Sequence, residues 1–198
     1  MKKTSIIDKI FLLATLMTAS YEIVKGINKY DNTAVLFFTI GFGVIIIASL
    51  LILIFNFEIL SNRFVIIAAA LIPISFAIAI VKTFYGKYYL YYLIFAILSL
   101  LLILITRFIG GKLISVLSII IGHGIAGLII VFLPFFLFLS SKAEASVLFI
   151  SVGGALIGIG GLLLAFLKTG KPIISENTIF TILLPVLFFT TLFFSLGI

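Results

Sequence analysis

Long apolar segments joined by short polar connections make up most of this chain. Six of them lack Asp, Glu, Lys and Arg, and they span residues 34–57, 64–81, 88–106, 113–139, 145–167 and 178–198. Each contains at least the roughly 18 residues that a helix needs to cross a hydrocarbon core about 30 Å thick. The pattern therefore predicts six transmembrane helices.

A seventh segment at residues 6–24 is weaker. Asp8 and Lys9 stand near its start and Glu22 near its end, with uncharged residues between them. The two N-terminal lysines, the apolar stretch and Thr18-Ala19-Ser20 also resemble a secretory signal peptide. Asp8 and Lys9 fall where the apolar region of a signal would already have begun, so we expect a retained first helix.

A gap-free repeat at an offset of 112 residues relates two parts of the chain. Residues 35–76 and 147–188 share 12 of 42 positions, including Gly41 with Gly153 and Pro73 with Pro185. Glycine and proline each fix a backbone feature, so their duplication indicates more than shared apolar composition. We predict an all-α integral membrane protein, a seven-helix polytopic bundle arranged 3+1+3 with two parallel three-helix repeats.

This layout gives one transmembrane domain over residues 1–198. Repeat 1 covers about 6–84, a connector helix about 88–108, and repeat 2 about 113–198. The composition agrees, since 64% of residues are hydrophobic, 10% are charged and the mean hydropathy is +1.49. A soluble domain of this size has too little polar surface to cover such a chain, so most of it must face lipid.

The net charge of +7 does not indicate nucleic-acid binding, because the basic residues occur singly between apolar runs. Instead they predict topology. Eight of the 13 Lys and Arg residues lie on the side that holds the N-terminus and five on the opposite side: Lys2, Lys3, Lys9, Arg63, Arg107, Lys112, Lys168 and Lys171 against Lys25, Lys29, Lys82, Lys87 and Lys142. We expect an inner or plasma membrane location, with the N-terminus in the cytoplasm and the C-terminus outside.

Two ionisable residues are candidates for an intramembrane functional role. His123 is the single histidine, and it lies close to the predicted midplane among small residues. It would act as a proton-relay group or, alternatively, as a neutral imidazole that bonds a neighbouring helix. Glu22 would bind a cation or a proton just inside the membrane boundary, or pair with Lys25 one turn later.

Small residues and prolines inside the apolar segments predict helix contacts and kinks. Pro73 and Pro185 lie in the middle of their segments, where they would act as gate hinges or simply shape the packing. Glycines allow neighbouring membrane helices to approach closely. The predicted packing glycines are Gly41, Gly43, Gly122, Gly124, Gly127, Gly153, Gly154, Gly158 and Gly161.

The same residues limit the functions open to the chain. The absence of cysteine excludes disulfides and thiolate chemistry, and one histidine cannot build a multi-His zinc site. No nucleophile with a base and no paired carboxylates can be assembled, so we expect no enzyme, no cofactor and no bound metal. The predicted function is a structural or accessory component of a membrane complex, whose partners are the bilayer and other membrane proteins or a second copy. The alternative is a small transporter or channel for an ion or a weakly polar, lipid-like substrate.

Overall fold

The computed structural model describes residues 3–169 and 173–198, and these form seven α-helices. The helices are α1 (Ile6–Lys25), α2 (Asn32–Phe55), α3 (Arg63–Phe84), α4 (Tyr89–Phe108), α5 (Lys112–Leu139), α6 (Val147–Thr169) and α7 (Glu176–Gly197). Short 3₁₀ helices at Asn56–Ser61 and Gly86–Tyr88 complete two of the connections. Lys2 and Lys171, two of the residues in the topology argument, lie outside the described ranges.

The all-helical prediction is confirmed, and every helix boundary lies within three residues of its predicted position. Six of the seven helices in the described ranges, α2 to α7, are long and apolar enough to cross a membrane. The remaining helix, α1, contains 20 residues and carries Asp8, Lys9, Glu22 and Lys25. Its charged ends are the physical reason that it differs from the other six.

Successive helices run antiparallel, so the bundle has two ends. We call the end where α1, α3, α5 and α7 begin the N-terminal side, and the end where they finish the C-terminal side. The helix contacts form a closed circuit in the order α1, α2, α3, α5, α6, α7 and back to α1. Helix α4 contacts α3 and α5. Helix α3 is the most deeply buried, with residues 72–81 all inside the bundle.

Large apolar side chains fill the interior toward both the C-terminal side and the N-terminal side. Toward the C-terminal side, the fully buried rings of Phe38, Phe42 and Phe194 surround Phe76, with ring centroids 5.8, 5.1 and 4.4 Å from it. Toward the N-terminal side a second cluster contains Leu12, Ile52, Phe57, Phe180, Leu183 and Leu184. Dispersion contacts between such close-packed side chains hold membrane helices together, because lipid offers no hydrophobic drive for their association.

Polar side chains fix several helix starts. Ser5 and Asp8 form a capping box at α1, in which the Ser5 hydroxyl accepts from the Asp8 amide and the Asp8 carboxylate accepts from the Ser5 amide. Asp31, Asn62 and Ser175 accept amide hydrogen bonds at the starts of α2, α3 and α7. These bonds satisfy backbone donors that would be unpaired at a helix N-terminus, so they define where each helix begins.

Candidate functional site

His123 lies near the middle of α5, at the contact between α5 and α6. Eleven residues at 1.5 Å each place it about 16 Å from the start of the helix. Its side chain is partly exposed, and its Nε2 atom lies 3.8 Å from the position that a Cβ on Gly161 would occupy. Among the described residues, no hydrogen bond to either ring nitrogen is present.

The α5–α6 contact opens next to this imidazole. At Gly154 the helices are tightly packed, since a Cβ there would lie 2.6 Å from Cγ2 of Ile130. Helical spacing places Gly127 and Gly158 between this close contact and His123. A Cβ on either glycine would meet no atom within 4 Å. His123 therefore lies near two glycines whose Cβ positions face open space, and we call this space the opening beside His123.

This arrangement limits the chemistry of His123. An imidazole with partner-free nitrogens can exchange one hydrogen bond with a small ligand. A proton relay requires a second titratable group within reach. The buried carboxylates of Glu22 and Asp8 lie toward opposite ends of α1 and are engaged elsewhere in the structure. His123 is thus placed for a single polar contact at mid-depth.

Glu22 lies buried near the C-terminal side, with 1% of its surface exposed. The Lys25 ammonium donates to both of its carboxylate oxygens, at 3.1 and 3.3 Å. The hydroxyl of Ser195, on α7, donates to Oε1 at 2.6 Å. Glu22 therefore pairs within its own helix and also joins the first helix to the last.

A cavity of about 290 Å³ lies next to this carboxylate on the C-terminal side. Its lining consists of Glu22, Lys25, residues 26–29 and Ile198. Both lysines of this lining already have partners: Lys25 has Glu22, and Lys29 lies 4.0 Å from the Glu144 carboxylate. The charged side chains of the lining are therefore paired with opposite charges rather than free to bind an ion.

The nine predicted packing glycines fall into three groups. Four lie against a side chain of another helix, where a Cβ would come within 3.1 Å of its atoms: Gly41, Gly122, Gly153 and Gly154. Four face open space, with no atom within 4 Å of a Cβ: Gly43, Gly124, Gly127 and Gly158. Gly161 faces His123. Close approach through glycine thus occurs at the α2–α3, α4–α5, α6–α7 and α5–α6 contacts.

Pro73 and Pro185 occupy interior positions of α3 and α7, and both helices continue through them. Pro73 is fully inside the bundle, in the buried stretch of α3, whereas Pro185 is half-buried. Proline has no amide hydrogen to donate to the residue four positions earlier, which locally weakens the helix. Both prolines therefore mark points where α3 and α7 could bend.

Two polar contacts were not predicted from the sequence. Ser195 is far from Glu22 along the chain, and its role depends on the α1–α7 contact. Between α4 and α5, the hydroxyls of Thr106 and Ser118 lie 2.8 Å apart, and Ser115 donates to the Thr106 carbonyl. The spacing of these hydroxyls within apolar segments was the only available signal, and it does not distinguish an interhelical bond from a bond to the preceding turn.

Within the described residues, no group of three or more His, Asp or Glu side chains is placed to hold a metal ion. No protein-family model, curated protein or solved structure matches this chain.

Proposed function

We propose that this protein is a non-catalytic, multi-pass membrane component that acts through contacts with other membrane proteins. The observation that supports this most directly is the filled interior. Aromatic and aliphatic side chains occupy it toward both the N-terminal side and the C-terminal side. A polar substrate needs partners along its path, because each unpaired polar group costs several kcal/mol in an apolar environment. At mid-depth the described interior offers His123 as such a partner, whereas the two clusters toward the ends of the bundle are apolar.

The positions of the acidic groups also support a non-catalytic role. Asp8 caps α1 at one side of the membrane, and Glu22 joins α1 to α7 toward the other. General acid–base or nucleophilic catalysis needs two such groups within hydrogen-bonding reach of one substrate. In α1 they are separated by four helical turns, about 20 Å.

The test is purification of the full-length protein in a mild detergent, followed by reconstitution into liposomes. We expect a stable complex with a second membrane protein at fixed stoichiometry, and no ion or solute flux from liposomes that contain this chain alone. Flux from the isolated chain at rates above those of empty liposomes would contradict the proposal. The variant Gly41→Leu, which disrupts the close contact between Gly41 and Phe76, shows how much flux a disrupted bundle gives in the same liposomes.

A small transporter or channel is the second candidate, and the circuit of helix contacts favours it. Helix α1, the first of proposed repeat 1, contacts α7, the third of proposed repeat 2. Helix α3, the third of repeat 1, contacts α5, the first of repeat 2. Two copies related by an axis along the membrane normal would produce this reciprocal pattern. The proposed 3+1+3 arrangement also accounts for the position of α4 against α3 and α5.

The transporter hypothesis makes its own prediction about the opening beside His123. If a weakly polar solute crosses between α5 and α6, His123→Ala should reduce the flux while Gly158→Leu should block it. Ile125→Leu, at an exposed position of α5, is a suitable control. Equal flux in all three variants would contradict passage at this contact.

We further propose that the N-terminal side faces the cytoplasm of a cell with an inner or plasma membrane. The excess of Lys and Arg on that side supports this orientation. Reporter fusions placed in the connections at residues 56–62 and 85–88 should be active on opposite sides of the membrane. Cytoplasmic activity of the second fusion would reverse the assignment.

A further inference from the structure

Two arginines lie at neighbouring helix ends on the N-terminal side, where α3 contacts α4. Arg63 is the first residue of α3, and Arg107 is the second-to-last residue of α4. The rings of Phe64 and Phe108, their sequence neighbours, lie 5.5 Å apart and hold the two helix ends together. Both guanidinium groups carry a positive charge, so placing them at neighbouring helix ends costs electrostatic energy.

In the part of the chain that the structure describes, neither of these charges has a carboxylate partner. Among the described residues, the ion pairs present are Lys25 with Glu22 and Lys29 with Glu144, both on the C-terminal side. The Nε atom of Arg107 is buried and has no hydrogen-bond partner within the described ranges. A buried, unpaired N–H on a charged group is costly, and an anion that accepts from the other N–H groups of the Arg107 guanidinium would offset part of that cost.

The chemistry of the missing partner follows from the donors. Two guanidinium groups present planar sets of N–H donors, which match the oxygen atoms of a phosphate. The surrounding surface is apolar: Phe64 is 68% exposed, Phe108 45% and Ile109 84%. A free phosphate ion would make no use of this surface, whereas the acyl chains of a lipid would cover it.

We propose that Arg63 and Arg107 together bind the phosphate of an anionic lipid at the N-terminal side of the bundle. The guanidinium groups hold the headgroup at the membrane boundary, and the exposed rings of Phe64 and Phe108 contact the chains beneath it. Basic residues at the ends of transmembrane helices commonly recognise lipid headgroups in this way. The bound phosphate also offsets the repulsion between the two arginines.

Native mass spectrometry of the detergent-purified, full-length protein tests this site. The probes are phosphatidylglycerol and phosphatidylcholine with identical acyl chains. We expect the protein to retain phosphatidylglycerol about tenfold better, and R63Q/R107Q to lose that preference because the charge-assisted hydrogen bonds are gone. K82Q/K87Q removes the same charge on the C-terminal side and should keep the preference.

Three results would overturn the proposal. The first is an unchanged preference in R63Q/R107Q, and the second is an equal loss in K82Q/K87Q. The third is displacement of the lipid by an equal concentration of glycerol 3-phosphate, which would assign the site to a soluble phosphate ester. If the double variant does not fold, R63Q alone gives the answer, because Arg63 is exposed at the start of α3 and its removal leaves the interior unchanged.

Discussion

The contact between Gly41 and Phe76 makes a strong prediction about stability. A Cβ on Gly41 would lie 2.6 Å from Cε2 and 2.8 Å from Cδ2 of Phe76, whereas ordinary van der Waals contacts begin near 3.4 Å. The Phe76 ring would have to move by about 1 Å to accept it. It has no space to do so, because Phe38, Phe42 and Phe194 surround it and all four rings are fully buried.

Gly41→Ala should therefore destabilise the protein by the amount typical of overpacked cores, about 1–3 kcal/mol. Gly43→Ala, two residues along the same helix, provides the matched control. A Cβ on Gly43 meets no atom within 4 Å, and alanine is favoured over glycine in a helix by roughly 0.5–1 kcal/mol. The two variants should thus differ by about 1.5–4 kcal/mol, with opposite signs relative to the parent.

Helicity at 222 nm during titration with sodium dodecyl sulfate in mixed micelles measures this difference. The Gly41→Ala midpoint should fall and the Gly43→Ala midpoint should rise. Equal midpoints for the two variants would show that the close α2–α3 approach at Gly41 is not as described. The pair Gly154→Ala and Gly158→Ala on α6 repeats the comparison, since a Cβ on Gly154 lies 2.6 Å from Ile130 and one on Gly158 meets open space.

Three further predictions concern the C-terminal side. Glu22→Ala should lower the free energy of unfolding by about 1–3 kcal/mol, because it removes a buried carboxylate that accepts charge-assisted hydrogen bonds from Lys25 and Ser195. An unchanged unfolding midpoint would show that the hydrogen bond between α1 and α7 contributes nothing to stability. Burial, and secondarily the charge of Glu144, raise the pKa of Tyr30 above its ordinary value. The stability that the neutral phenol provides below pH 10 should therefore decline as the pH rises further. Tyr30→Phe should reduce this decline, measured as the difference between unfolding midpoints at pH 8 and pH 11. Gly26→Ala should lower the free energy of unfolding by about 1–3 kcal/mol, because a side chain is strained at the φ of +79° found there. Gly86→Ala is the control and should be near neutral in the same unfolding assay. Equal midpoints for the two variants would contradict the positive φ at Gly26.

The helices could be predicted from the sequence with small errors at their ends. Uninterrupted apolar stretches define α2 to α7 by themselves, since length and composition are local properties. Asn62 and Ser175, residue types that favour helix N-caps, accept amide bonds at the starts of α3 and α7. The first helix was harder, because its charged ends lower its hydropathy and because α1 depends on contacts with α2 and α7.

The candidate site depended much more on tertiary structure. The predicted pair of Glu22 with Lys25 involves residues on one helix turn, so spacing was sufficient to identify it. Its third member, Ser195, belongs to the opposite end of the chain and is brought there by the α1–α7 contact. The surroundings of His123 depend in the same way on how α6 crosses α5.

The sequence by itself determined that this is an all-helical protein suited to a membrane, and where each helix lies to within three residues, because these properties follow from local apolar runs. The tertiary structure decided which glycines are packed and which are open, as the contrast between Gly41 and Gly43 shows. It also decided which charges are paired, and among the described residues Arg63 and Arg107 lie at neighbouring helix ends without a carboxylate partner. The physical reason is that a side chain's partners depend on the rotation and crossing of neighbouring helices, which no local pattern specifies.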